Sequence, residues 1–115
     1  MFSEDQLAEL KSMWPSLSEA EEGGLTFIRI DGLRLADGCE PRTVSGLLCP
    51  VPRDGYQSRL FISAKISHKG KGQNWNPQNG CVILNEHWWA VSWKTARQNQ
   101  RLTEMMLDHL RAFQP

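Results

Sequence analysis

Cys81 is the residue of this chain best suited to covalent chemistry. It follows the turn-rich run Asn74 to Gly80 (N-W-N-P-Q-N-G) and opens a short apolar segment, Cys81 to Leu84. A thiol placed after polar, turn-forming backbone can meet solvent, and as a thiolate it is a strong nucleophile. Trp75, Trp88, Trp89 and Trp93 flank it and supply rigid area that can hold such a loop in one place. His68 and His87 bracket the same loop, and either can raise the thiolate fraction or activate an incoming amine. Asn74, Asn76 and Asn79 lie in the same loop, where asparagine is a standard turn former. These residue types point to a reactive cysteine thiol. The competing reading of the same thiol is a small buried hydrophobe.

The elements around this segment follow from spacing. Ser3 with Gln6 is a capping-box pattern and Phe2 can staple against Leu7, so a helix is expected over 3–14, ending at Pro15. Ser16 to Gly24 reads as an acidic connector. Strands are expected near 25–30, 43–49 and 59–66, with Asp31-Gly32 as a tight turn and P-V-P-R-D-G as a break. The polar stretch from His68 to Gly80 is long enough to suggest function. Leu102, Met105, Met106, His109, Leu110 and Phe113 form an amphipathic stripe, which predicts a core-packed helix over 100–113. Trp89 and Trp93, four residues apart, are expected to share one buried face of a helical turn, with Trp88 turned outward. The order predicts an α+β domain spanning 1–115, an antiparallel β-meander flanked by N- and C-terminal helices.

Composition narrows the class. The chain has 115 residues, enough for one core, and 13 basic residues balance 13 acidic ones. That balance argues against nucleic acid as a partner. Three cysteines without a C-x-x-C pair fit neither a disulfide framework nor a structural zinc site, so no metal and no cofactor is expected. Lys65, Lys69 and Lys71 alternate with Gly70 and Gly72 but lack the Walker pattern, and read as a solvated basic loop. The start, M-F-S-E-D-Q-L, is acidic and carries no apolar signal region; no apolar run approaches a membrane span. A cytoplasmic protein with no membrane partner is expected.

The order of elements and several motifs resemble the ubiquitin-conjugating enzymes. P-V-P-R-D-G-Y-Q-S-R-L-F-I-S looks like the family's turn and third strand, with Tyr56 in the tyrosine place and Gln57 where proline is usual. A-K-I-S-H resembles the strand end that carries the family histidine, which falls on His68; the asparagine of that element falls on Gly70. Cys81 takes the place of the thioester cysteine, with Trp89 eight residues on. R-L-F-I-S at Arg59 to Ser63, N-W at Asn74-Trp75, W-A-V-S-W at Trp89 to Trp93 and H-L-R-A at His109 to Ala112 resemble the bacterial branch known as prokaryotic E2-like family E.

The resemblance implies an enzyme that carries a ubiquitin-like protein as a thioester on Cys81 and passes it to an amine. Its partners would be that ubiquitin-like protein and an activating-enzyme-like protein. His68, Asn74, Asn76 and His87 are the residues expected to assist Cys81. The missing asparagine at Gly70 keeps a second reading open: a non-catalytic adaptor of the same fold that binds a ubiquitin-like protein or its activating enzyme.

Overall fold

In the computed structural model, which describes residues 2–114, helix α1 spans Glu4–Met13. Ser3 caps it, its side chain accepting from the Gln6 amide at 3.3 Å. The Gln6 side chain does not complete the box. Its carbonyl instead accepts from the amide of Leu102 at 3.0 Å, the first residue of helix α2 (Leu102–Leu110). One helix thus satisfies an orphan donor at the start of the other. Glu104 adds a second cap, accepting from the Arg101 amide at 3.2 Å, and a 3-10 turn over Arg111–Phe113 closes the chain's ordered core.

Between the helices in sequence comes an antiparallel sheet of four strands in the order β1-β2-β4-β5. These are β1 (Ser18–Glu22), β2 (Leu25–Arg34), β4 (Thr43–Cys49) and β5 (Arg59–Ile62). Short strands β3 (Cys39–Glu40) and β6 (Ser67–His68) pair with each other, as do β7 (Cys81–Ile83) and β8 (Glu86–Trp88). The α+β layout and the antiparallel sheet agree with the expectation from sequence.

Two local readings change. The acidic connector contains strand β1, paired from Ser18 with Arg29 to Glu22 with Leu25 across the Gly23-Gly24 turn. S-E-A-E-E has little strand propensity, so its conformation comes from pairing with β2, and its charges suit a sheet edge. Asp31-Gly32 is not a hairpin turn but an irregularity inside β2. Ile30 pairs with Gly46 and Leu33 with Val44, so β2 carries one extra residue there. Gly32 supplies the positive φ of 68°. The extra residue also explains why Ile28, Ile30, Leu33 and Leu35 all reach one core despite the change of parity.

Both faces of the sheet are covered. One face contributes Ile28, Ile30, Leu48, Leu60 and Ile62 to a core completed by Leu10 of α1 and by Leu102, Met105, Met106 and Phe113. The other face presents Phe27, Leu47, Cys49 and Phe61, and the β7-β8 hairpin covers it with Ile83 and Trp88. Each strand alternates its side chains between these layers. Among the described residues no helix is long and apolar enough to cross a membrane.

Candidate thiol site

The β7-β8 hairpin positions Cys81. Its two-residue turn places Leu84 and Asn85 at φ of 56° and 62°, the left-handed geometry that a tight hairpin requires. Asparagine tolerates that region, but leucine does so uncommonly, so the tip needs outside support. Glu22 of β1 accepts from the Leu84 amide at 3.0 Å, and Arg29 of β2 pairs with Glu86. The Arg29 guanidinium also lies 5.3 Å from the Trp88 ring centroid.

Alternation then fixes which way each hairpin side chain points. Ile83 and Trp88 are fully buried against the sheet, whereas Val82 and His87 are exposed. Cys81 lies on the Ile83 side and packs half-buried against the aromatic layer that contains Cys49. Gly80 before it is in close quarters: a Cβ there would meet the Trp88 carbonyl and stand 2.7 Å from His87 Nε2.

Electrostatics at the thiol are contested. Burial pushes the Cys81 pKa above the ordinary thiol value, and the positive charge of Arg53 is the largest influence in the other direction. Arg53 sits in the turn Arg53–Tyr56, where backbone bonds of 2.9 Å run both ways and Asp54 and Gly55 have φ of 54° and 86°. Its guanidinium lies 5.9 and 5.6 Å from the Phe27 and Phe61 rings, with Asp54 3.4 Å from Nε. A cation held on the aromatic layer beside Cys81 is what a thiolate in this place would need.

Arg59 ties the loops together. Its side chain is almost wholly buried, donates to Asp54 at 3.2 Å and to the Val91 carbonyl at 3.3 Å, and bonds the Asn76 carbonyl. The Tyr56 ring covers it at 4.3 Å. Tyr56 Oη in turn accepts from the Asn76 amide at 3.0 Å and lies 2.8 Å from Ser92 Oγ. Hydrogen bonding to Ser92 and then Asn76 holds this phenol below its usual pKa. Backbone bonds from Asn76 to Ala90 (2.9 Å) and from Ser92 to Asn74 (2.8 Å) bind the two segments as a ribbon. The polar stretch after His68 is therefore anchored backbone from Asn74 onward.

The sequence candidates do not all converge. His68 pairs with Cys39 in the β3-β6 ribbon, and its Nε2 lies 2.9 Å from the Asp37 carbonyl. His87 Nε2 lies 2.7 Å from the Asn79 carbonyl, and its ring stacks on Trp89 at 4.4 Å, on the outer side of the hairpin. The charges that bear on the Cys81 pKa are those of Arg53, Asp54 and Arg59. Asn76 has a fixed place, with one of its two amide protons engaged by Tyr56. Asn74 contributes its backbone carbonyl, and its side chain makes no hydrogen bond among the described residues.

Arg53, Arg59 and Ser92 were not singled out from sequence, and Tyr56 entered only as the tyrosine of the family-like turn. The available signal was Arg59 itself, a charge at the head of the apolar strand R-L-F-I, which must find partners if buried. The tryptophans also exchange roles. Residues 89–93 form no helical turn: Trp89 bridges to Ile62 and Val91 to Trp75. Trp88, expected outside, is the fully buried one, its Nε1 donating to the Ile83 carbonyl at 3.0 Å. Trp93 is half-buried and donates to Asp108 at 3.0 Å.

No family model, curated protein or solved structure matches this chain.

Proposed function

We propose that this chain is a ubiquitin-conjugating-like carrier, which takes the C-terminal acyl group of a ubiquitin-like protein onto Cys81 and passes it to an amine. The Cys81 sulfur would attack the thioester held by an activating enzyme, displacing that enzyme's thiol. An amine would then attack the Cys81 thioester, forming an amide and releasing the thiol. The observation that carries this reading is that Cys81 alone of the three cysteines reaches the surface, while Cys39 and Cys49 are buried. The motif order around it and an antiparallel meander set between terminal helices are consistent with a ubiquitin-conjugating-enzyme-like fold. A cytoplasmic setting, where free thiols persist, fits three unpaired cysteines.

Within this reading Arg53 favours the thiolate, and Asn76, whose side-chain amide is held by Tyr56, is the candidate to serve an oxyanion. His68 supports the backbone at Asp37, and His87 supports the Asn79 end of the loop.

One observation favours the adaptor reading: Cys81 lies within a hairpin strand against the apolar layer, and burial raises its pKa. A single experiment separates the two. With an activating enzyme, ATP and a ubiquitin-like protein, the carrier gives a thiol-sensitive adduct on a non-reducing gel. Cys81→Ser then converts it to a thiol-resistant ester or abolishes it. Cys39→Ser and Cys49→Ser leave it unchanged. Retained partner binding with no adduct in the wild type would establish the adaptor instead.

A further inference from the structure

A second feature lies beside the helix layer, and two of its residues, Leu25 and Val51, pack against the same apolar cluster as Cys81. The start of α1, the head of β2 and the Pro50–Pro52 segment enclose a notch of about 220 Å³, walled by Phe2, Leu7, Leu25, Ile28, Val51 and Leu102. Ile28 and Leu102 are fully buried, but Phe2, Leu7, Leu25 and Val51 are only half-buried, so apolar surface is left open. Glu19 of β1 stands on the rim. Among the described residues its carboxylate has no ion pair and no hydrogen bond, unlike Glu21, which accepts from Thr26 at 3.3 Å, and Glu22, which accepts from Leu84 at 3.0 Å.

The notch opens into a larger cavity. Phe2, Pro50 and Val51 belong to both, and beyond them a space of about 430 Å³ is lined by the amides Gln57, Gln98 and Asn99, by Gln100, which donates to Asp108, and by Arg97, which pairs with Glu104. Three properties select an occupant. The notch itself, at about 220 Å³ with apolar walls, suits one inserted aliphatic side chain. The unpaired carboxylate at its rim suits a neighbouring cation. The amide-rich continuation suits a peptide backbone, because a side-chain amide can both donate to a carbonyl and accept from an N–H.

We propose that this cleft is a docking site for an extended protein segment, which inserts an aliphatic side chain between α1 and β2 and sets an adjacent basic residue against Glu19. The inference is independent of any thioester on Cys81. An acyl lipid would fill the notch but leave the amide-lined half without partners. A small molecule confined to the notch would likewise leave the amide-lined half without partners.

The test uses the 115-residue chain and a blocked peptide, acetyl-Ser-Gly-Leu-Arg-Gly-Ser-amide, followed by NMR of the protein's methyl and amide signals. Shifts are expected for Leu25, Ile28, Val51 and Leu102, and for the side-chain amides of Gln57 and Asn99. Replacing the peptide leucine by serine should weaken binding about tenfold or more, since the buried aliphatic group supplies most of the affinity. Replacing its arginine by glutamate should weaken it by a smaller factor, about two- to fivefold for a rim charge. Glu19→Lys, an exposed edge-strand change that leaves the core untouched, should remove the arginine preference and favour the glutamate peptide. Absence of shifts at millimolar peptide would overturn the proposal. So would equal binding of the serine peptide, or decanoate reproducing the full set of shifts, which would identify a lipid site.

Discussion

Ser58 Oγ and His109 Nε2 lie 2.7 Å apart in the interior, joining the segment before β5 to helix α2. Both residues are buried, and burial pushes the His109 pKa down to about 4, with Asp108 opposing that shift and Arg59 adding to it. The imidazole is therefore neutral in the folded protein. A neutral, deeply buried imidazole with so low a pKa is a poor base at neutral pH, so this pair reads as a structural link rather than a catalytic dyad.

Its pH signature has a definite sign. Unfolding returns His109 to an ordinary pKa of about 6.5, so between about 4 and 6.5 the unfolded chain binds more protons. Stability from this group is intact above about 6.5 and is lost as pH falls towards 4, by on the order of 3 kcal/mol. Asp108 faces the same region and is a second acid-sensitive group. Burial alone would raise its pKa, but hydrogen bonds from Ala96, Gln100 and Trp93 hold it below the usual carboxylate value. Urea midpoints between pH 4 and 7 should fall with acid, and His109→Gln should flatten the part of the curve between 5 and 6.5. An unchanged curve in that variant would mean the histidine is not neutral inside.

Trp88 and Trp93 should separate in stability measurements. Trp88→Ala removes a fully buried ring that joins the hairpin to the sheet, at a cost of about 3–5 kcal/mol. Trp93→Phe keeps most of the ring but strips Asp108 of one donor, at about 1–3 kcal/mol. Denaturant midpoints would check the order, and a milder effect at Trp88 would contradict the hairpin's role as the second layer.

Arg59→Met should loosen the ribbon beside Cys81 more than it harms the helices. The carbonyls of Asn76 and Val91 lose their donor, each at about 1–3 kcal/mol if left buried and unpaired. Hydrogen exchange at the Asn76 and Ser92 amides should accelerate, while that at Met106 stays slow. Equal acceleration throughout would indicate global unfolding in place of local release.

The three thiols should alkylate in sequence. Burial raises the pKa of Cys39, Cys49 and Cys81 alike, but only Cys81 is partly open to solvent. With iodoacetamide at pH 8, Cys81 should react first, about tenfold or more ahead of the others, yet slower than free cysteine. Peptide mass spectrometry over a time course would read this. Arg53→Gln should slow Cys81 further, and an unaffected rate would remove Arg53 from the thiol's surroundings.

Much of the frame was legible because its signals are local. Ser3 caps α1 wherever the helix packs, and the Leu102 to Phe113 stripe has one helical period that buries one face. The runs expected at 25–30, 43–49 and 59–66 carry enough strand formers to be found without their partners, although the last strand ends at Ile62. Other features depend on what lies opposite. S-E-A-E-E becomes a strand because β2 offers it a ladder, and Asp31-Gly32 becomes an irregularity because β4 continues past it. Trp88 is buried because the sheet has a second apolar face for the hairpin to cover, which no spacing within 88–93 could reveal.

The candidate site divides in the same way. The sequence alone pointed to Cys81 as the thiol to examine, since a cysteine after polar turn residues can reach solvent. Which groups surround it was decided by tertiary structure. His68, near in sequence, is drawn to Cys39 by the β3-β6 pairing, while Arg53 and Arg59, more than twenty residues away, bring their charges to bear on the thiol. Local chemistry selects which residues can react. Long-range pairing selects which of them meet, because a side chain's neighbours are set by strand register and layer packing and not by its distance along the chain.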